Sequence, residues 1–250
     1  MSNRNCLSYW FPKLVEAGLP VPRTEIVKTD VDLTSLLDGV IPIGVEPFFN
    51  ELRKATDAIG GCPCFLRTGQ GSGKHRWKDC CFLESQKTIP QHVASLVEWS
   101  HVVDFFGLSH DVWVVRKLLP VEPLAVLPRY HGMPLVVEYR AFIGDGKVKC
   151  IHPYWPERSI RDGLECTHRS GHLVANDVCS ECQKTADGLF LLTRDPADES
   201  AALSLARNTA TTFSGDGEWS VDLLKTKIGW FVTDMAEAAK SYHYEGCKLT

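Results

Sequence analysis

The chain has 250 residues, 44% hydrophobic and 23% charged, with a formal net charge of −4. That is ordinary for a globular protein with a substantial core, and it removes any global electrostatic case for nucleic acid or a membrane surface. No apolar run approaches a membrane span and MSNRNCLSYWFPKL lacks a signal-peptide core, so the 10 cysteines are expected as reduced thiols in a cytoplasmic setting, some able to bind metal.

Residues 5–17 carry a helical pattern with an early proline, after which GLPVPRTEIV turns into a strand. Residues 46–59, EPFFNELRKATDAI, keep a helical period and stop at Gly60-Gly61. Then comes FLRTGQGSGKHRWKD, from Phe65 to Asp79, with Gly69, Gly71 and Gly73 ahead of Lys74. The spacing fits neither a Walker A loop, since His75 follows Lys74, nor G-x-G-x-x-G, since Lys74 stands at the third glycine position. Short apolar runs on either side predict strand, loop, strand. Arg67, Lys74, Arg76 and Lys78 load the segment with positive charge, and no anion precedes Asp79. Such a hairpin either closes over a polyphosphate, with glycine amides and lysines as donors, or is a solvated surface turn. The stretch alone leaves both open.

Residues 90–107 read as a second helix, and VWVVRKLLP as a buried strand stopped by Pro120. LVVEYRAFIGDGKVKCIHPYW predicts a β-hairpin turning at Gly144-Asp145-Gly146. Residues 156–190 interrupt the pattern, being polar and rich in Cys and His. A helix around 197–212 and a last hairpin, EWSVDLLKTKIGWFVTDMA, complete the chain. Helices mixed with antiparallel hairpins define an α+β class.

In the last hairpin, a turn centred near Ile228 puts Asp222 and Asp234 opposite one another on one face. Facing carboxylates repel by several tenths of a kcal/mol (about 0.2–1), unless a cation sits between them. Mg²⁺ suits two carboxylates plus phosphate oxygens. The alternatives are that both face water, or that the register is off by one. In the polar interruption, Cys179-x-x-Cys182 has zinc-knuckle spacing, and Cys166-x-His168 could complete a tetrahedral site. His172 lies close by, and the tight spacing of the first pair argues against the site. Cys62, Cys64, Cys80 and Cys81 alternate about the basic hairpin and read as small core residues.

Taken in order, GLPVPRTEIV, FLRTGQGSGKHRWKD, VVRKLLP, EYRAFIGDGKV and SVDLLKTKIGWFVTDM resemble the ATP-grasp superfamily. Within it, VVRK…EYRAFI…VDLL…WFVTDM is most similar to the ATP-grasp assembly chaperone of a eukaryotic translation initiation factor, and to small viral or bacterial members. The resemblance implies two α+β subdomains gripping a nucleotide between antiparallel sheets. Residues 1–60 would be an N-terminal α/β segment, 61–118 the lid subdomain, and 119–250 the C-terminal subdomain with an insertion at 156–190.

It also implies roles. Arg67, with Lys74 or Lys78, would reach the nucleotide phosphates. Arg116, Lys117 and Leu118 would form the hinge whose backbone reads adenine. Arg140, two residues after Glu138, would point at the terminal phosphate, and Asp222 and Asp234 would hold Mg²⁺. One departure stands out, because Ala236 occupies the position where many catalytic members carry asparagine. The leading expectation is an ATP-dependent ligase that activates a carboxylate as an acyl phosphate for an amine. The alternative is a non-catalytic ATP-binding assembly factor with a protein partner. Nucleotidyl transfer through Lys74 ranks last, since GKHRWKD lacks the lysine-x-Asp-Gly context.

Overall fold

The computed structural model describes residues 3–104, 108–165, 179–244 and 247. The chain divides into two compact units, one of Met1–Val15 with Val21–Leu119, the other of Glu16–Pro20 with Pro120–Thr250.

In the first unit, helix α1 (Leu7–Glu16) buries Leu7, Trp10, Phe11 and Leu14, the i, i+3, i+4, i+7 stripe of an amphipathic helix. Strand β1 (Thr24–Lys28) follows, then α2 (Val45–Ala58), which buries Val45, Phe48, Phe49, Leu52 and Ala55. The helix ends where Gly60 and Gly61 take φ values of 105° and 87°, a left-handed exit open to glycine. Next come β2 (Cys64–Thr68), the short α3 (Trp77–Cys80), β3 (Phe82–Leu83), α4 (Ile89–Val103) and β4 (Val112–Lys117). All neighbours in the sheet β1-β4-β2-β3 are antiparallel. Leu52, Ile59, Leu66, Leu96, Trp113 and Val115 meet in its core. Truncating one such leucine to alanine costs about 2–5 kcal/mol.

The basic segment differs from the simple hairpin expected. Its second strand is only Phe82–Leu83, and a 3₁₀ turn at Lys74–Arg76 and α3 fill what was read as an open tip. Trp77 explains this: its ring stacks on Phe82 at 5.5 Å and tilts on Phe65 at 5.8 Å, pulling the segment inward. Cys64, Cys80 and Cys81 are fully buried, as small core residues are, while Cys62, read the same way, is half-buried. Burial raises the Cys64 thiol pKa to about 12 and that of Cys80 to about 11.

In the second unit, β5 (Ala125–Leu127) and β6 (Met133–Leu135) form a small ribbon. Strands β7 (Glu138–Gly144) and β8 (Lys147–Pro153) form the predicted hairpin, with Asp145 and Gly146 at φ 53° and 72° in its two-residue turn. Helices α5 (Glu157–Gly163), α6 (Ser180–Leu192) and α7 (Pro196–Thr212) precede β9 (Trp219–Thr226) and β10 (Gly229–Glu237). The sheet order is β10-β9-β7-β8. Asp195 caps α7 by accepting from Ala197 N at 2.8 Å, with Pro196 next and Asp198 and Glu199 in the first turn. Lys225 on β9 donates to Asp198 of α7, so the sheet face carrying Tyr139, Ala141, Val221, Leu223 and Lys225 is the one that helix covers.

Two differences from the sequence reading lie here. The stretch at 156–190, polar and read as an interruption of the pattern, contains α5 and α6, bridged by Arg161 Nη1 to Gln183 Oε1 at 3.1 Å, with Ile160 and Ala186 fully buried. And the cysteines are not all thiols: Cys150 and Cys247 form a disulfide, Cα atoms 6.1 Å apart and 97 residues apart in sequence. A pairing across that separation has no local signal in the sequence.

Candidate functional site

In the first unit the glycine loop is bound mainly to the protein itself. Gly69 N donates to Val112 O at 2.8 Å and Gly71 N to Thr68 Oγ1 at 3.0 Å. A Cβ on Gly71 would come 2.5 Å from the Trp99 ring, and one on Gly69 would collide with Cys6 Sγ. Packing alone therefore accounts for these two glycines. Arg67 is buried on β2, its Nε donating to Thr68 O at 3.0 Å. Lys74 is half-buried and Lys78 exposed. Arg67 and Lys74 both act electrostatically on the Cys81 thiol, which burial holds far above its ordinary pKa. Arg76 is turned away to Glu98 of α4 at 2.8 Å.

At the end of β4, Arg116 lies against α1, its guanidinium 5.8 Å from the Trp10 ring centroid and 5.6 Å from that of Phe11. Lys117 N donates to Arg23 O at 2.9 Å, and Leu118 follows the strand end, one residue before the first unit closes at Leu119.

In the second unit the ladder register places His152, Arg140, Asp222 and Asp234 in one transverse row across β8, β7, β9 and β10. Directly paired residues share a face, and it is the face opposite α7. Asp222 does pair with Asp234, and the turn, Lys227-Ile228, is near Ile228, but that turn alone would not pair them. Thr226 pairs with Gly229, so a regular ladder would set Asp222 against Thr233; a bulge between Val232 and Asp234 restores the carboxylate pair. A second bulge, between Phe142 and Ile143 in the β7–β8 register, brings His152 opposite Arg140.

Asp222 is 5% exposed and Glu138 7%. Arg140 clamps Asp222 with both prongs, Nε to Oδ1 at 2.7 Å and Nη2 to Oδ2 at 2.9 Å, and its guanidinium lies 4.5 Å from the Tyr154 ring centroid. Burial works against the Arg140 charge, but the Asp222 carboxylate outweighs it and raises the pKa. Asp234 Oδ1 accepts from Met235 N at 3.0 Å, and Ala236 sits opposite Ser220. The donor set suits a hard cation, two carboxylates abreast, once Asp222 shares an oxygen with something besides Arg140.

Residues 241–244 and Cys247 lie on this same face. Ser220 Oγ meets Ser241 Oγ at 2.5 Å, and Arg140 Nη1 donates to Tyr242 O at 3.4 Å. The His243 ring stacks on Phe142 at 4.0 Å, Tyr244 on His152 at 4.1 Å, and Cys247 closes onto Cys150. Sequence reasoning missed His152 and the whole 241–247 stretch. No spacing marks the latter, and the former needs the bulge to be seen.

Of the expected zinc ligands, Cys166 and His168 lie outside the described residues. Cys179 stands just before α6 and Cys182 in its first turn. A different group is assembled: the ligand atoms of Cys150, His243 and Cys247 all lie within 4.8 Å of one another. Among the described residues no helix is long and apolar enough to cross a membrane.

Two four-stranded antiparallel sheets flanked by helices, with the acidic hairpin last in the chain, make this an α+β ATP-grasp fold. Among solved structures, that of Cdc123 from Schizosaccharomyces pombe aligns with a TM-score of 0.53 at 12% identity, over 94% of this chain and 83% of that one. Its C-terminally truncated form gives 0.53 at 11%, with the same coverage. D-alanine–D-alanine ligase from Bacillus anthracis gives 0.48 at 13%, over 94% of this chain and 56% of that one. No protein-family model matches the sequence. No curated protein does either.

Proposed function

We propose that this chain binds ATP with Mg²⁺ and uses the terminal phosphate to activate a carboxylate for attack by an amine. The observation that carries the reading is the row of Arg140, Asp222 and Asp234 on the sheet face opposite α7, a cation beside two facing carboxylates. Asp222 and Asp234 would hold the metal, which supplies charge neutralisation at the phosphates. Arg140, moving one prong from Asp222 to a phosphate oxygen, would stabilise negative charge on the transferring group. Arg67 and Lys74, with Lys78 as the alternative lysine, would bind the phosphates from the first unit, and the backbone at Arg116, Lys117 and Leu118 would face the adenine. Cys166, His168, Cys179 and Cys182 would form a structural zinc site holding the start of α6.

A second reading, an ATP-binding assembly factor without turnover, is favoured by Ala236 and by the full commitment of Asp222 to Arg140. Product analysis separates the two. The ligase reading expects ADP and phosphate, faster with a carboxylate and an amine both present. Bound ATP that stays intact, with a protein partner retained in a nucleotide-dependent way, would replace it by the assembly factor. AMP with a covalent adenylate on Lys74 would overturn both.

A further inference from the structure

We propose that Cys150, Cys247 and His243 are ligands of a zinc-class metal site, loaded when the Cys150–Cys247 disulfide is reduced. Two sulfurs and an imidazole nitrogen within 4.8 Å of one another are close to what a tetrahedral zinc needs. Zn–S of about 2.3 Å and Zn–N of about 2.0 Å set ligand atoms roughly 3.3–3.8 Å apart, so the imidazole has to close in by no more than about 1.5 Å, while the two sulfurs, bonded to one another in the disulfide, part once it is reduced. Thiolates and imidazole are also the soft donors that select zinc over the hard cations suited to carboxylates.

His152 stands outside that group of three and would supply a fourth ligand by turning its ring toward it. It lies two residues beyond Cys150 on the same face of β8, is 4% exposed, and stacks 5.7 Å from the His243 ring. Its Nδ1 is 2.8 Å from Pro153 O. A carbonyl only accepts, so Nδ1 carries the proton and Nε2 keeps its lone pair. That Nε2 is buried with no hydrogen-bond partner among the described residues. A ring nitrogen fixed by a backbone carbonyl, with the other left bare, is the usual arrangement of a metal-binding histidine.

The chemistry balances with a dithiol as reductant. Its two sulfurs close to a disulfide while the Cys150–Cys247 bond opens, and each protein sulfur takes one proton. Zn²⁺ then displaces those two protons, leaving two thiolates and neutral imidazoles around the metal. Disulfide and metal are thus alternative links between Cys247 and β8.

The test uses the full chain carrying Cys179→Ser and Cys182→Ser, reduced with a dithiol, desalted without air, and titrated with Co²⁺ alone. Thiolate-to-cobalt absorption with tetrahedral bands should rise to one equivalent, vanish on adding Zn²⁺, and be absent from the oxidised chain. Cys247→Ser and His243→Ala should each weaken Co²⁺ at least tenfold, with circular dichroism of both variants matching the parent. No absorption in the reduced chain, or undiminished binding in either variant, would overturn the site.

Discussion

Arg140 and Asp222 face one another across the β7–β9 ladder and are joined by two hydrogen bonds of 2.7 and 2.9 Å. Their side chains are 14% and 8% exposed, so each charge relies on the other for what water would supply. Arg140→Met should therefore cost about 3–5 kcal/mol, because it strands a buried carboxylate. Arg140→Met together with Asp222→Leu should recover most of that loss. Urea denaturation of both variants measures it; a single variant costing under about 1 kcal/mol would show that water reaches the pair.

Asp234 tests the metal assignment more cleanly than Asp222, since it is not the partner of Arg140. Saturating ATP at about a hundred times its dissociation constant should add about 2.7 kcal/mol of stability. In Asp234→Asn the share of that shift that depends on Mg²⁺ should fall sharply, while the Mg²⁺-free share stays. An unchanged Mg²⁺ response in thermal denaturation would remove the metal from Asp234.

Gly71→Ala should lower stability by about 1–3 kcal/mol with no nucleotide present, because the added methyl meets the Trp99 ring. Trp99→Leu in the same chain should relieve part of that cost, a coupling visible in a double-mutant cycle. A variant of full stability that had lost only ATP binding would reverse the conclusion.

That loop also shows where the sequence could and could not be read. Helix periods, the Gly60-Gly61 stop and the Asp145-Gly146 turn were legible because local chemistry dictates them. Three glycines before a lysine carry no local mark of whether a phosphate or side chains distant in sequence, Trp99 for Gly71 and Cys6 for Gly69, require them. Arg140, Asp222 and Asp234 were legible individually, yet the bond between Arg140 and Asp222 was not, since the two strands meet only through a connection of some eighty residues. The stretch at 241–247 was illegible for the same reason.

Zinc held by Cys166, His168, Cys179 and Cys182 should be present in protein purified without chelators and kept oxidised at Cys150–Cys247. Cys179→Ser with Cys182→Ser should remove it and leave ATP binding largely intact. Elemental analysis decides; a metal-free parent protein would end the proposal.

Burial lowers the His110 pKa below its ordinary value, helped by His101 and opposed by Asp111 and Asp32, while its Nε2 meets Ser100 Oγ at 2.5 Å. The folded imidazole resists a proton that the unfolded one takes. Its contribution to stability is full above the ordinary value of 6.5 and lost as pH falls through the lower folded value. The melting temperature should decline from pH 7 toward 5.5, and less steeply in His110→Gln. Parallel profiles would assign the decline to other groups.

The two bulges in the second unit's sheet act as offsets in a counting problem. Without the one between Val232 and Asp234, the partner of Asp222 would be a threonine; without the one between Phe142 and Ile143, His152 would slip out of line with Arg140. The row is therefore written in the number of residues along the outer strands as much as in their identity. Deleting Thr233, the residue that the bulge leaves unpaired, would straighten β10 and still set Asp234 against Asp222, whereas deleting Asp234 itself would hand its place to Thr233 or Met235.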